Sequence, residues 1–222
     1  MHQENTVSSL EDLHDDVDSR IVSTARGVIE REARALSGVP AQIGPDFAQI
    51  VQAVLALEGK VVTTGTGTSG IMAERLAHLL AVSGTPAFYL PCLDALHGGM
   101  GAISASDYVI AFSKGGRSDE LIQLTSRLVA RGVHVLAVTE KPDSPFAAAA
   151  STVVRLRTDP VDADPGGLIA MGSTLVVGAW GDALAATLMR LRDHSWEDVV
   201  DIHPGGYVGV QHELPEDQGL DS

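Results

Sequence analysis

Cysteine is nearly absent from this 222-residue chain: Cys92 stands alone. A single cysteine excludes an intramolecular disulfide and suits a reducing cytoplasm. Cys92 itself reads as a small buried apolar residue, not a nucleophile. Positive charge is also scarce, with 15 Lys and Arg against 29 Asp and Glu and a net charge of −14. That balance excludes a broad nucleic-acid surface, which needs basic side chains against phosphate, and it makes any cation in a pocket conspicuous. No uninterrupted run of about 18 apolar residues is present to span a bilayer, so no membrane partner is expected. Nor does a basic stretch followed by an apolar one open the chain, so no secretory signal is read and a cytoplasmic location is expected. The acids gather at both ends, Glu11, Asp12, Asp15, Asp16 and Asp18 at the start and Glu213, Glu216, Asp217 and Asp221 at the finish, as solvated termini do.

What is present is ample apolar content, 45%, enough to build a core. Residues 9–37 alternate charges with Leu10, Ile21, Val22, Val28, Ile29 and Leu36, which predicts one or two amphipathic helices closed by Gly38 and Pro40. A further helix is predicted over 46–57. From Lys60 onward, short β-branched runs alternate with glycine turns and longer helices: strands at 61–64, 87–90, 108–112, 133–138 and 152–156, helices at 71–83, 118–131 and 168–191, and a loop over 65–70. Such alternation implies a mostly parallel α/β sheet covered on both faces, with ligands at the carboxyl ends of the strands. The organisation expected is a helical arm (1–44), an α/β domain (45–210) and an acidic tail (211–222).

Two glycine turns carry the candidate chemistry. Ser113-Lys114-Gly115-Gly116-Arg117-Ser118-Asp119-Glu120 follows the apolar run 108–112 and opens a helix. The first N–H groups of a helix lack intrahelical partners and sit at the positive end of its dipole, so this turn is suited to hold an anion. Serines bracket its glycines, and Lys114 and Arg117 bring cations into an acidic chain. Ser118 also fits as the N-cap, so its hydroxyl has two possible uses. Glu120, in the first helical turn, is placed to act as a base beside the anion. The other turn, Gly65-Thr66-Gly67-Thr68-Ser69-Gly70, matches the G-x-G-x-x-G fingerprint. A dinucleotide site also needs an acid at the end of the next strand, where Tyr89-Leu90-Pro91-Cys92 is apolar; close packing of helix on strand is the competing reason for these glycines. Among the eight histidines, His97 and His203 stand out because each lies in a glycine-bearing loop, in Ala-Leu-His-Gly-Gly-Met-Gly and His-Pro-Gly-Gly.

Taken in order, the loops at 65–70, 95–101, 113–120, 172–185 and 203–206 resemble those of the sugar isomerase (SIS) domain family, most nearly arabinose 5-phosphate isomerases without their C-terminal pair of cystathionine-synthase-type domains. The resemblance implies a three-layer, flavodoxin-like fold with a five-stranded parallel sheet, and a homotetramer or at least a homodimer. It also implies aldose–ketose interconversion of an open-chain sugar phosphate. On it, Ser69, Ser113, Ser118, Ser173 and Thr174 hold the phosphate, with Gly67, Thr68, Lys114, Gly115, Gly116 and Arg117 around them. Glu120 corresponds to a catalytic glutamate, His97 to an active-site histidine, His203 to a histidine near the reacting carbons, from the same or a neighbouring subunit, and Asp162 to a second family carboxylate. Thr68 stands where the family has lysine, Gly115 replaces a serine, Arg117 a glutamate, and Lys114 is added, so cationic charge has moved between the loops.

The reaction implied is proton removal beside a carbonyl, an enediol, and proton return to the adjacent carbon, with Glu120 as base and His97 or His203 opening the ring or moving the proton between oxygens. Two alternatives stay open: a non-catalytic sugar-phosphate-binding or sensor module, and an isomerase for another anionic sugar, even a sulfonate. No cofactor is expected. A zinc site using His97, His203 and a carboxylate is a further alternative, although the ligand spacing that marks one is absent.

Overall fold

Five short runs rich in Val, Ile, Thr and aromatics form the strands β1 (Val61–Gly65), β2 (Ala87–Tyr89), β3 (Tyr108–Phe112), β4 (His134–Thr139) and β5 (Thr152–Arg155) of a computed structural model describing residues 10–211 and 213–215. Side chains before residue 16 fall outside that description, as do His2, His212, Glu216, Asp217 and Asp221, so the solvated ends and most of the acidic tail lie outside the described residues. All strand pairs are parallel, in the order β2-β1-β3-β4-β5. Gly65 is level with Phe112, and Phe112 with Val138, so the chain leaves β1, β3 and β4 along one rim.

Alternation along the strands divides the core between two faces. Val61, Ile110, Phe112, Leu136 and Val138 face one way, toward α2 (Pro45–Leu55), α3 (Gly67–Val82) and α7 (Gly172–Leu191). Val62, Val109, Ala111, Val135 and Ala137 face the other, toward α4 (Cys92–Leu96), α5 (Asp119–Ala130) and α6 (Pro145–Ala149). α7 is long and apolar enough to cross a membrane by composition. Here it is a core helix, burying Val176, Trp180, Leu184 and Leu188, with Trp180 edge-on to Phe47 at 6.0 Å.

The N-terminal segment is one helix, α1 (Leu10–Ser37), ending one residue before Gly38. Ala35 and Val39 join the core, whereas residues 16–26 are exposed, Val17, Ile21 and Val22 among them. After α7 come the short helices α8 (Trp196–Asp201) and α9 (Gly206–Gly209). Two expectations need correction. The 65–70 segment is not a free loop, because α3 already begins at Gly67. The last long helix starts at Gly172, not 168, leaving Leu168 at 90% exposure and Ile169 outside it.

Candidate active site

Strand order reverses between β1 and β3, since β1 leads outward to β2 and β3 leads the other way to β4 and β5. A crevice opens at such a switch point above the carboxyl ends of the strands. The turns after β1 and β3 flank it, and each is shaped by a close approach. A Cβ on Gly65 would lie 2.9 Å from the Ser69 carbonyl group, and one on Gly70 2.9 Å from the Tyr89 hydroxyl. Those two glycines therefore answer to helix–strand packing, which lets α3 start early over the sheet edge. In the second turn Gly116 has φ +64°, its N–H donates to Ser113 Oγ at 3.1 Å, and any Cβ would run into Ser144.

On the α3/α7 face of the crevice lies a cavity of about 40 Å³, room for a few waters or an anionic head group at its depth. Thr68, Ser69 and Met72 of α3 form one wall, and Ser173, Thr174, Val176 and Val177 of α7 another. Ser113 and Lys114 enter from the turn after β3, Thr139 and Glu140 from the end of β4, and Thr158 from the loop after β5. Phe112, Val138 and Leu156 make the floor apolar, which strengthens any electrostatic contact made above it.

A lysine–aspartate pair stands at this cavity. Lys114 Nζ donates to Asp164 Oδ2, and Asp164 Oδ1 accepts the N–H groups of Met171 at 2.8 Å and Ser173 at 2.9 Å. The Asp164 side chain is 1% exposed and that of Lys114 35%. Burial pushes the Asp164 carboxyl up, but the hydrogen bonds from Lys114, Ser173 and Met171 outweigh it and hold the group below the usual carboxylate range. Glu140 is the second carboxylate here, its Oε1 accepting from the backbone and hydroxyl of Thr158.

Six of the expected anion-binding residues thus meet at one cavity: Thr68, Ser69, Ser113, Lys114, Ser173 and Thr174. Gly67 begins α3 beside them, while Gly115 and Arg117 are exposed. Ser118 is the N-cap of α5, yet its hydroxyl makes no capping bond; it lies 3.2 Å from Thr66 Oγ1, bridging the two turns across the crevice. Glu120 and His97 lie beyond that bridge, on the α4/α5 face, both exposed in the single chain. His97 is the C-cap of α4. Burial, and then the charge of Glu120, push the Cys92 thiol up to about 11, so this cysteine is a protonated packing residue, not a nucleophile. His203 follows α8, half-buried, with Nδ1 bonded to the Val199 carbonyl. The structure does not bring Asp162 to the cavity: its carboxylate is at the surface, 3.9 Å from Arg31 of α1, and the buried acid of that loop is Asp164. Among the described residues no group of three His, Cys, Asp or Glu side chains is gathered as a metal site.

Sequence reasoning passed over Thr139, Glu140, Thr158 and Asp164. The first two were within reach, because they end a parallel strand at the rim where ligands sit. Asp164 had no local signal; its partner is fifty positions away.

Residues 55–186 match the family model described as SIS domain. An arabinose 5-phosphate isomerase, GutQ, of Shigella flexneri is 35% identical over 86% of this chain and 59% of its own length. Another, KdsD of Pseudomonas aeruginosa, is 35% identical over 85% of this chain and 57% of its own. The chain therefore spans less than three fifths of these relatives' length. Among solved structures, an Escherichia coli CFT073 protein in complex with arabinose 5-phosphate is 29% identical with TM-score 0.78, covering 84% of this chain and 98% of that one. A Listeria monocytogenes structure is 30% identical with TM-score 0.76, covering 90% and 100%.

Proposed function

The chain belongs to the SIS domain family, and from that membership we propose that it is an aldose–ketose isomerase acting on a phosphorylated sugar of the arabinose 5-phosphate/ribulose 5-phosphate kind. One observation carries the reading: hydroxyls from three separate segments, Ser69 at the start of α3, Ser113 in the turn after β3 and Ser173 at the start of α7, meet with the Lys114 ammonium in one cavity at the switch point of the sheet. Two of its walls are the first turns of α3 and α7, whose dipoles favour an anion there. The phosphate is held by Thr68, Ser69, Ser113, Lys114, Ser173 and Thr174, with Gly67 and the 115–118 turn around it. The sugar extends across the Thr66–Ser118 bridge toward Glu120 and His97.

Glu120 removes the proton alpha to the carbonyl and returns it to the neighbouring carbon, a step that typically gains ~10²–10⁴-fold from a well-placed base. His97, and His203 from this or an adjacent subunit, open the ring or carry the proton between oxygens. The exposed apolar residues of α1 and of 168–175, with Leu168 at 90%, support assembly into a homodimer or homotetramer. Within the chain we take 45–210 as the SIS domain, 1–44 as an arm and 211–222 as a tail, in a cytoplasmic protein.

The test is proton exchange in deuterated water with a panel of sugar phosphates. Deuterium at C1 or C2 of the substrate is expected; tight binding with no exchange overturns catalysis and leaves the second reading, a sugar-phosphate-binding module. That reading is favoured by the exposure of Glu120 in the single chain and by Thr68 in place of a cation.

A further inference from the structure

Among the described residues Lys114 is the one cation lining the cavity, and two carboxylates, Asp164 and Glu140, lie within its neighbourhood. An ammonium has three donors and a flexible stem, so left to itself it pairs with whichever acceptor it reaches. Three observations show that this one is not left to itself. The Lys114 carbonyl accepts from the Glu140 N–H at 3.2 Å and from Thr139 Oγ1 at 3.2 Å, which pins the backbone to the end of β4. The head group is bound by a carboxylate whose side chain is only 1% exposed. That carboxylate is itself fixed, because its other oxygen holds the N–H groups of Met171 and Ser173 at the start of α7.

We propose that Asp164 is a positioning residue for anion recognition: it anchors one donor of Lys114 and so aims the remaining two between the hydroxyls of Ser69 and Ser173. This deepens the function proposed above and rests on its anion site. The same carboxylate links the lysine turn to the first turn of α7, so the cation and the Ser173 hydroxyl move as one unit. The cavity takes a compact tetrahedral anion such as the phosphate of the sugar, because the donors come from fixed positions on three sides.

Simple electrostatics and positioning predict opposite signs for Asp164→Asn. If Asp164 merely neutralises Lys114, its removal leaves the ammonium unopposed and tightens anion binding. If it positions the ammonium, affinity falls although a negative charge has been removed, because the amide still accepts from Ser173 but no longer holds Lys114. Binding of inorganic phosphate and of arabinose 5-phosphate is measured by calorimetry, with KM and kcat alongside. We expect Asp164→Asn to weaken both ligands by about tenfold, with KM raised and kcat changed less than threefold. In a Lys114→Met background the same substitution should leave affinity unchanged, since a residue acting through another loses its effect when that partner is gone. Lys114→Arg keeps charge and pairing but moves the donors; it should also weaken phosphate, and it serves if Asp164→Asn does not fold. Unchanged or tighter phosphate binding in Asp164→Asn, or an equal loss in both backgrounds, overturns the proposal alone. Failure of the unaltered chain to bind either ligand overturns the anion site and the proposal with it.

Discussion

Two lysine–aspartate pairs stand at opposite ends of the sheet and do different work. At the foot, Lys60 meets Asp107 below β1 and β3, with Nζ 3.0 Å from both carboxylate oxygens, and Asp107 also accepts from the Lys60 N–H and from the backbone and hydroxyl of Ser104. At the rim, Lys114 meets Asp164 through one oxygen, beside serine and threonine hydroxyls. The two aspartates are equally buried and the two lysines equally half-exposed, 1% and 38% at the foot, 1% and 35% at the rim. Burial therefore does not separate a structural pair from a functional one. What does is the use of the ammonium: at the foot both carboxylate oxygens engage it and it lies 5.9 Å from the centre of the Phe88 ring, while at the rim it has donors to spare over a cavity.

The strongest test of this contrast is chemical. Glu120→Gln, at the rim, should lower kcat by about 10²–10⁴-fold while leaving the affinity for sugar phosphate within a few-fold and the melting temperature unchanged. Steady-state kinetics with calorimetric binding checks it, and unchanged turnover removes Glu120 from the mechanism.

Asp107→Ala, at the foot, should do the reverse. It strips the acceptor from the N–H groups of Lys60 and Ser104 and the buried partner from the Lys60 ammonium, so chemical denaturation should register a loss of roughly 3 kcal/mol. Phosphate affinity should stay as it was; a loss of affinity comparable with that of Asp164→Asn would erase the distinction between foot and rim.

Acid sharpens the same comparison. Burial pushes the Asp107 carboxyl up, but hydrogen bonds from Ser104 and Lys60 outweigh it and hold the group at about 2. A carboxyl depressed in the folded state stabilises above its unfolded value, and that contribution drains away as pH falls from about 4 through about 2. It amounts to roughly 2 kcal/mol, and in Asp107→Asn that part of the pH dependence should vanish from denaturation curves. Asp164 is depressed too and acts with the same sign.

The smallest effect is expected where a pair is exposed. Arg75 and Asp182 join α3 to α7 at 2.5 Å with side chains 44% and 49% exposed. Replacing Arg75 by Ala should cost under about 1 kcal/mol, because water and salt screen such pairs, and a shift in melting temperature larger than that range would show the two cavity walls to be strapped by it.

How much was legible follows the same division. β1, β3, β4 and β5 lie within one or two residues of their expected places, because β-branched and aromatic runs bounded by glycine and charged turns have no other stable use. Gly84 and Gly132, both at φ +80°, stand just past the ends of α3 and α5, where a glycine in the left-handed region marks a helix stop in the sequence. The start of α3 was not legible: Gly67, Thr68, Ser69 and Gly70 are poor helix formers, and the helix holds there because Gly65 and Gly70 let it press against β1 and the Tyr89 hydroxyl. Ser118 is the N-cap of α5 as its local setting suggested, but which of two uses its hydroxyl takes was not legible, and Thr66 of the facing turn engages it.

By itself the sequence determined the alternation of strands and helices, the two glycine turns at one edge and the hydroxyl-rich character of what gathers there, because each of these is set by neighbours a few residues away. Tertiary structure alone decided which acid of the 159–164 loop turns inward, which of two cations is anchored, and on which face of the sheet each candidate stands. Those choices depend on partners fifty or more positions apart, brought together only when the parallel strands align and the helices close over them.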